Sequence, residues 1–202
     1  MHNGGALVFG VDGHLLVGTG DAGNPALAAD PDSTAGKVLR IDVFGRPVGA
    51  GPVFTRGHRD VTALCLAGET AIYATDATDA PAPDEVNLLT PGADYAVAPP
   101  LSEVPDEEAG LGGCAAGGSV LFLGALQGER IHALSLDERG AVVGDPEEFL
   151  GGEYGRLRTV VLDAEGALWI TTSNKDGVGS PAEDDDKVLR ILPPTSASDS
   201  PL

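Results

Sequence analysis

Positive charge is scarce in this chain, so its placement is informative. TRGHRD carries Arg56, His58 and Arg59, and GEYGRLRT carries Arg156 and Arg158, in a sequence with 12 Lys and Arg against 31 Asp and Glu. Arg156 and Arg158 stand two apart, so on an extended strand both project from one face. Two guanidinium groups so placed can grip a multiply charged anion through bidentate hydrogen bonds. The competing reading pairs these arginines with the surplus surface carboxylates. At the start, HNGG sets the imidazole of His2 directly before a strand-turn-strand pattern. First residues are frayed by default, so His2 counts as chemistry only if a fold holds it. DEVNLL and PGADYA supply Asp84, Glu85, Asp94 and Tyr95, hard oxygen donors suited to Ca²⁺ if the loop folds back, although at no EF-hand spacing. AEDDDK reads as a solvated turn. There is no G-x-S-x-G, Walker loop, C-x-x-C or H-E-x-x-H, which removes the usual support for hydrolase and nucleotide-binding readings.

The elements that must position these residues are strands. Alternation and β-branched enrichment dominate, and no apolar 3.6-residue period persists for three turns. ALVFGVDGHLLVGTG, TALCLAGETAIYAT, GCAAGGSVLFLGAL and RTVVLDAEGALWITT share one layout: an apolar strand, a Gly-containing turn and a returning apolar strand. Their turn glycines, Gly13, Gly68, Gly118 and Gly166, lie 55, 50 and 48 residues apart. A steady period near 50 marks a repeat architecture. Each hairpin is followed by further strand sequence, and KVLRI occurs at Lys37 and again at Lys187, 150 residues or three periods later. Its lysines and arginines read as solvated. An inner hairpin followed by outer strands builds one propeller blade, so the fold class is all-β, a β-propeller of about four blades. A β-sandwich has a similar strand count but does not predict the period. Long connections, Asp21 to Gly36 and Pro99 to Gly113, are expected to cross one face, where sites usually lie. Residues 1–194 read as one propeller domain and TSASDSPL, 195–202, as a disordered tail.

Composition bounds the partners. With 42% hydrophobic residues the chain can bury a sizeable core, and a net charge of −19 repels nucleic acid and anionic bilayers. No apolar run reaches the ~18 residues of a membrane span, and the first 30 residues lack signal-peptide regions. Cys65 and Cys114 each lie in an apolar run, which predicts buried free thiols, with a single bridge as the alternative.

Taken in order, HNGGALVFGVDGHLLVGTGDAG, GKVLRID, RGHRD, DEVNLLTPGADY, LFLGALQGERI, GEYGRLRTVV and GALWITTSNKDG resemble the soluble quinoprotein sugar dehydrogenases, the glucose/sorbosone dehydrogenase family. The resemblance runs to about Pro194. It implies a six-bladed propeller that binds pyrroloquinoline quinone (PQQ) and Ca²⁺ on one face and oxidises the C1 hydroxyl of an aldose, with an external electron acceptor. His2 falls on the family's catalytic histidine, which takes the hydroxyl proton, a task suited to imidazole near neutral pH. Arg59, Arg156 and Arg158 fall on arginines around the cofactor, whose three carboxylates give guanidinium groups a plain electrostatic reason to cluster. Glu85 and the carbonyl of Tyr95 fall on a family Ca²⁺ site.

The departures are as specific. After Arg59 the chain reads Asp60-Val61-Thr62-Ala63, placing a carboxylate beside an anionic cofactor. Gln127 stands where relatives often carry a basic residue, and Asp79-Ala80 replaces a Gly-Pro pair at the cofactor Ca²⁺. The Gly-Trp-Pro expected after the tyrosine is absent. Roughly two family blades fall upstream of His2. This predicts that the gene begins further upstream, that four blades close alone, or that another chain, such as a second copy, covers the open edges. The family is typically exported. Retained His2 and arginines favour an enzyme, whereas Asp60, Gln127, Asp79-Ala80 and the upstream blades favour a binding or scaffold module that has lost its cofactor.

Overall fold

The computed structural model describes residues 2–192; the tail expected at 195–202 lies outside them. Successive antiparallel hairpins build four sheets. The first holds β1 (Gly4–Phe9), β2 (Leu15–Thr19), β3 (Lys37–Ile41) and β4 (Val53–Arg56). The second holds β5 (Val61–Ala67), β6 (Ala71–Asp76), β7 (Asp84–Leu88) and β8 (Ser102–Val104). The third holds β9 (Leu111–Gly117), β10 (Val120–Ala125), β11 (Arg130–Ser135) and β12 (Glu147–Phe149). The fourth holds β13 (Leu157–Leu162), β14 (Leu168–Thr172) and β15 (Val188–Ile191). Strand order follows chain order in every sheet, the up-and-down arrangement of a propeller blade.

The 50-residue period has a backbone cause. Gly13, Gly68, Gly118 and Gly166 all adopt positive φ, between 58° and 84°, in the tight turn of each first hairpin. A Cβ at these positions would meet nothing, so the conformation and not close packing requires glycine.

The core is divided among the blade junctions. Ala6, Leu16 and Val38 of the first sheet pack on Val61, Leu64 and Ala74 of the second. Tyr73 and Val86 of the second meet Leu111, Leu121 and Leu134 of the third, and Phe122 and Ile131 of the third meet Leu157 and Leu168 of the fourth. Innermost strands β1, β5, β9 and β13 pack in succession, but β13 does not pack back on β1 in the same way. The first and last sheets each keep an apolar outer face: Leu7 and Phe9 on one, Val161, Trp169 and Val188 on the other, are exposed.

Three expectations are corrected. Cys65 and Cys114 are not free thiols: they form a disulfide that ties β5 to β9 across the second junction, with Cα atoms 5.9 Å apart. Each cysteine belongs to an innermost strand, so the one-period spacing puts them side by side. Lys37 is not solvated. It is fully buried, and its Nζ donates to the carbonyls of Leu27, Ala28 and Ala35 at 2.8–2.9 Å. Burial holds its ammonium below the usual lysine range. The connection from Asp21 to Gly36 folds over it around the short helix α1 (Pro25–Ala29), whose N-cap is Asn24. The third is the stretch from Pro99 to Gly113, which is not a plain loop, since it holds β8 and one turn of 3₁₀ helix at Asp106–Glu108. Among the described residues no helix is long and apolar enough to cross a membrane.

Both buried devices should show in stability. Replacing both cysteines by serine should lower the unfolding free energy by about 2–4 kcal/mol, as expected for a loop closed over 49 residues. Urea unfolding with and without reductant reads this, and two titratable thiols in the unreduced, denatured protein would contradict it. Lys37→Met should cost about 2–4 kcal/mol, because three buried carbonyls lose their shared donor.

Candidate functional site

Four side chains close a polar ring where the first blade meets the second. His2 Nδ1 lies 2.9 Å from Asp21 Oδ1, and His2 Nε2 lies 3.0 Å from Asp79 Oδ1. Arg59 joins the same two carboxylates from the other side: Nη1 donates to Asp21 Oδ2 at 2.6 Å, and Nη2 donates to Asp79 Oδ2. Asp21 is 1% exposed and also accepts the Gly23 amide, so it is the fixed member. Asp79 is 54% exposed and sits in the connection from β6 to β7.

His2 is therefore held and not frayed. Its backbone has φ 51°, its carbonyl accepts the Ala22 amide at 3.1 Å, and a Cβ on Gly20 would collide with that carbonyl. Glycine at position 20 is what admits the histidine.

Burial pushes the Asp21 carboxyl up, but hydrogen bonds from His2 and the Gly23 amide, with the charge of Arg59, bring it below the ordinary carboxylate range. The hydrogen bond from Arg59, aided by that from His2, holds Asp79 low as well. Arg59 is raised in turn, chiefly by its bond to Asp79. With both carboxyls held low, Asp21 and Asp79 stay ionised against Arg59 from neutral pH down through the ordinary carboxylate range, and these ion pairs open only below it.

The other expected residues divide between this ring and its surroundings. Asp60 is half-buried and accepts the Gly4 amide at 2.6 Å, which fastens β1 to the second blade. Burial, then the neighbouring Asp76 and Asp21, push its carboxyl up against the opposing Gly4 bond. His58 is a satisfied core histidine, bonded to Thr55 and Asp76 and stacked on Tyr95 with ring centroids 5.0 Å apart. Arg56 pairs with Asp94 at 2.9 Å and stays outside the ring. Arg156 lies just before β13 and pairs with Asp176 at 2.8 Å, while its Nη1 donates to the carbonyl of Leu126, next to the exposed Gln127. Amides of Val178 and Gly179, then Arg156, lower the Asp176 carboxyl to about 2, so this pair persists through the neutral range. A bulge between Leu157 and Thr159 interrupts the alternation, so Arg156 and Arg158 do not share one environment. Arg158 is exposed and forms no ion pair among the described residues.

The acidic donors are only partly assembled. Asp84 is committed to the amides of Thr78, Gly110 and Leu111, and Asp94 to Arg56. Among the described residues no group of three His, Cys, Asp or Glu side chains is placed to hold a metal. Glu85 is half-buried, and burial raises its carboxyl despite a hydrogen bond from Asn87. Asn87 Oδ1, on the same face of β7, is buried with no hydrogen-bond partner among the described residues. The AEDDDK turn is not simply solvated: Asp185 bonds Asn174 and Ala182, and Asp186 bonds the Asn174 amide.

Sequence reasoning missed Asp21 and Asp76. Asp76 accepts the amides of Arg59 and Asp60 and so aims Arg59 at the ring. Asp21 lies within the HNGGALVFGVDGHLLVGTGDAG stretch, with no role assigned to it there; Asp76 stands in no motif, and its only signal is an acidic residue closing a strand.

The ring of imidazole, guanidinium and carboxylates thus lies at a blade junction of a β-propeller. The glucose/sorbosone dehydrogenase family model matches residues 1–99 and 117–180, and the chain belongs to that family. An aldose sugar dehydrogenase from Streptomyces coelicolor, solved in its PQQ-bound form, is 34% identical with a TM-score of 0.90, the match covering 95% of this chain and 62% of that one. An oxidoreductase (glucose dehydrogenase) from Thermus thermophilus is 34% identical with a TM-score of 0.84, over 95% of this chain and 65% of that one. The soluble aldose sugar dehydrogenase of Escherichia coli, in its apo form, shares the fold at 20% identity, with a TM-score of 0.81 over 96% of this chain and 65% of that one. The chain thus spans less than two thirds of the length of these relatives.

The ring has unequal members, which predicts unequal mutants. Asp21→Ala should lower the unfolding free energy by about 2 kcal/mol, since a buried carboxylate serving three donors is lost. Asp79→Ala should leave stability unchanged within error. Urea unfolding of both variants checks the order, and equal losses would contradict it.

Proposed function

We propose that this chain carries the cofactor face of a PQQ-dependent aldose dehydrogenase. The observation that supports it is the orientation of His2: buried Asp21 fixes Nδ1, and Nε2 is turned to the exposed carboxylate of Asp79, which Arg59 shares. In this reading Nε2 takes the proton of the sugar C1 hydroxyl, and Asp21 steadies the imidazolium that forms. When bound, PQQ supplies the two-electron acceptor for the accompanying hydride, which no side chain can provide.

The residues fit a polyanionic quinone. Arg59 already holds carboxylates, Arg158 is unpaired among the described residues, and Arg156 stands beside Gln127. Arg59, Arg156 and Arg158 would hold the cofactor carboxylates, with Gln127 and Asp60 at its margin. For Ca²⁺, Glu85 and the Tyr95 carbonyl are the proposed ligands, and the orphaned Asn87 oxygen supports a cation there, since a hard oxygen without a partner suits such an ion. The substrate is an aldose, and an external electron acceptor reoxidises the cofactor. The apolar outer faces of the first and last sheets would take the equivalent of about two further blades, from a longer polypeptide or a second copy of this chain. The Cys65–Cys114 bond supports an oxidising compartment.

Calorimetric titration with PQQ in excess Ca²⁺ tests the reading. Saturation at one site per chain is expected, and Arg156→Ala should weaken binding about tenfold or more, the scale of one charge-assisted hydrogen bond. His2→Ala should leave binding nearly unchanged while lowering turnover about 10²-fold or more. Absence of saturable binding to the folded protein would overturn the proposal.

A further inference from the structure

Asp79 does something in the ring that the other three members do not. Its carboxylate bridges His2 Nε2 and Arg59 and fills the Arg59 donor that would hold an anionic ligand, so it stands where a ligand carboxylate would stand. It is also the only ring member that is mostly exposed. Its side chain makes no other hydrogen bond among the described residues, and its connection is anchored by its neighbour: Thr78 donates its amide to Asp84 and its hydroxyl to the Ala82 and Pro83 carbonyls. The carboxylate can therefore leave while the loop remains attached.

We infer that Asp79 is a built-in competitor for the anion position between His2 and Arg59, an autoinhibitory carboxylate that a ligand must displace. The inference rests on the proposed anionic cofactor for its biological ligand. Charge count supports it. With Asp79 in place, one guanidinium faces two carboxylates and repels a further anion; with Asp79 out, Arg59 is matched by Asp21 alone and regains an unfilled donor. Geometry supports it again: the one Asp79 carboxylate spans His2 Nε2, at 3.0 Å, and the Arg59 guanidinium, so an incoming anion finds both groups already occupied.

The test compares the protein with Asp79→Ala and Asp79→Ala/Arg59→Ala, using two probes: PQQ by calorimetry, and citrate by thermal shift as a small tricarboxylate. Asp79→Ala should bind PQQ about tenfold or more tightly, and citrate should raise its melting temperature but not that of the parent protein. Both gains should vanish when Arg59 is also removed. If PQQ binds none of the proteins while citrate stabilises only Asp79→Ala, the competitor stands and the quinone reading fails. Equal responses of parent and Asp79→Ala to both probes, whether strong or nil, would overturn the competitor, as would gains that persist without Arg59.

Discussion

The buried carboxylate of Asp21 is the constraint on which the candidate site depends. It leaves the end of the first hairpin, accepts from His2 at the chain start, and accepts from Arg59 at the entry to the second blade. Three segments remote in sequence are thereby fixed by one group. A carboxylate out of water costs free energy unless its oxygens are filled, and here every donor that fills them is either backbone or part of the site. The same requirement that stabilises Asp21 orients the imidazole and the guanidinium.

Carboxylates and an ammonium hold loops in the same way elsewhere on this face. Asp76 gathers the Arg59 and Asp60 amides, Asp84 gathers those of Thr78, Gly110 and Leu111, and Lys37 gathers three carbonyls. Irregular backbone between blades leaves polar groups that no sheet ladder satisfies, and a buried charge with several donors or acceptors closes many at once. Among the carboxylates of the ring, the exposed Asp79 is the one that no backbone amide holds among the described residues.

The fold was legible because the propeller repeats. The turn glycines kept a period near 50, and the strand-turn-strand layout returned in each blade. The short fourth strands β4, β8 and β12, of three or four residues, were not legible, since so few residues establish no alternation. Lys37 was misread because KVLRI looks amphipathic; what buries its ammonium is the connection that precedes it, folded back around helix α1. The disulfide was misread because apolar surroundings suit thiol and bridge alike, and only the adjacency of innermost strands decides. Family motifs singled out His2 and Arg59, which meet on the same two carboxylates, whereas the shared face expected of Arg156 and Arg158 is interrupted by a bulge that no residue type announces. Asp79 was visible only as a departure; its bond to His2 spans 77 residues and belongs to tertiary structure alone.

A crystal structure of the protein soaked with PQQ and Ca²⁺ would show the anion position itself. The quinone is expected beside Arg59, with a cofactor carboxylate or carbonyl in place of the Asp79 side chain, and His2 Nδ1 still bonded to Asp21. A bound quinone with the His2–Asp79 contact intact, or one seated away from Arg59, would contradict it.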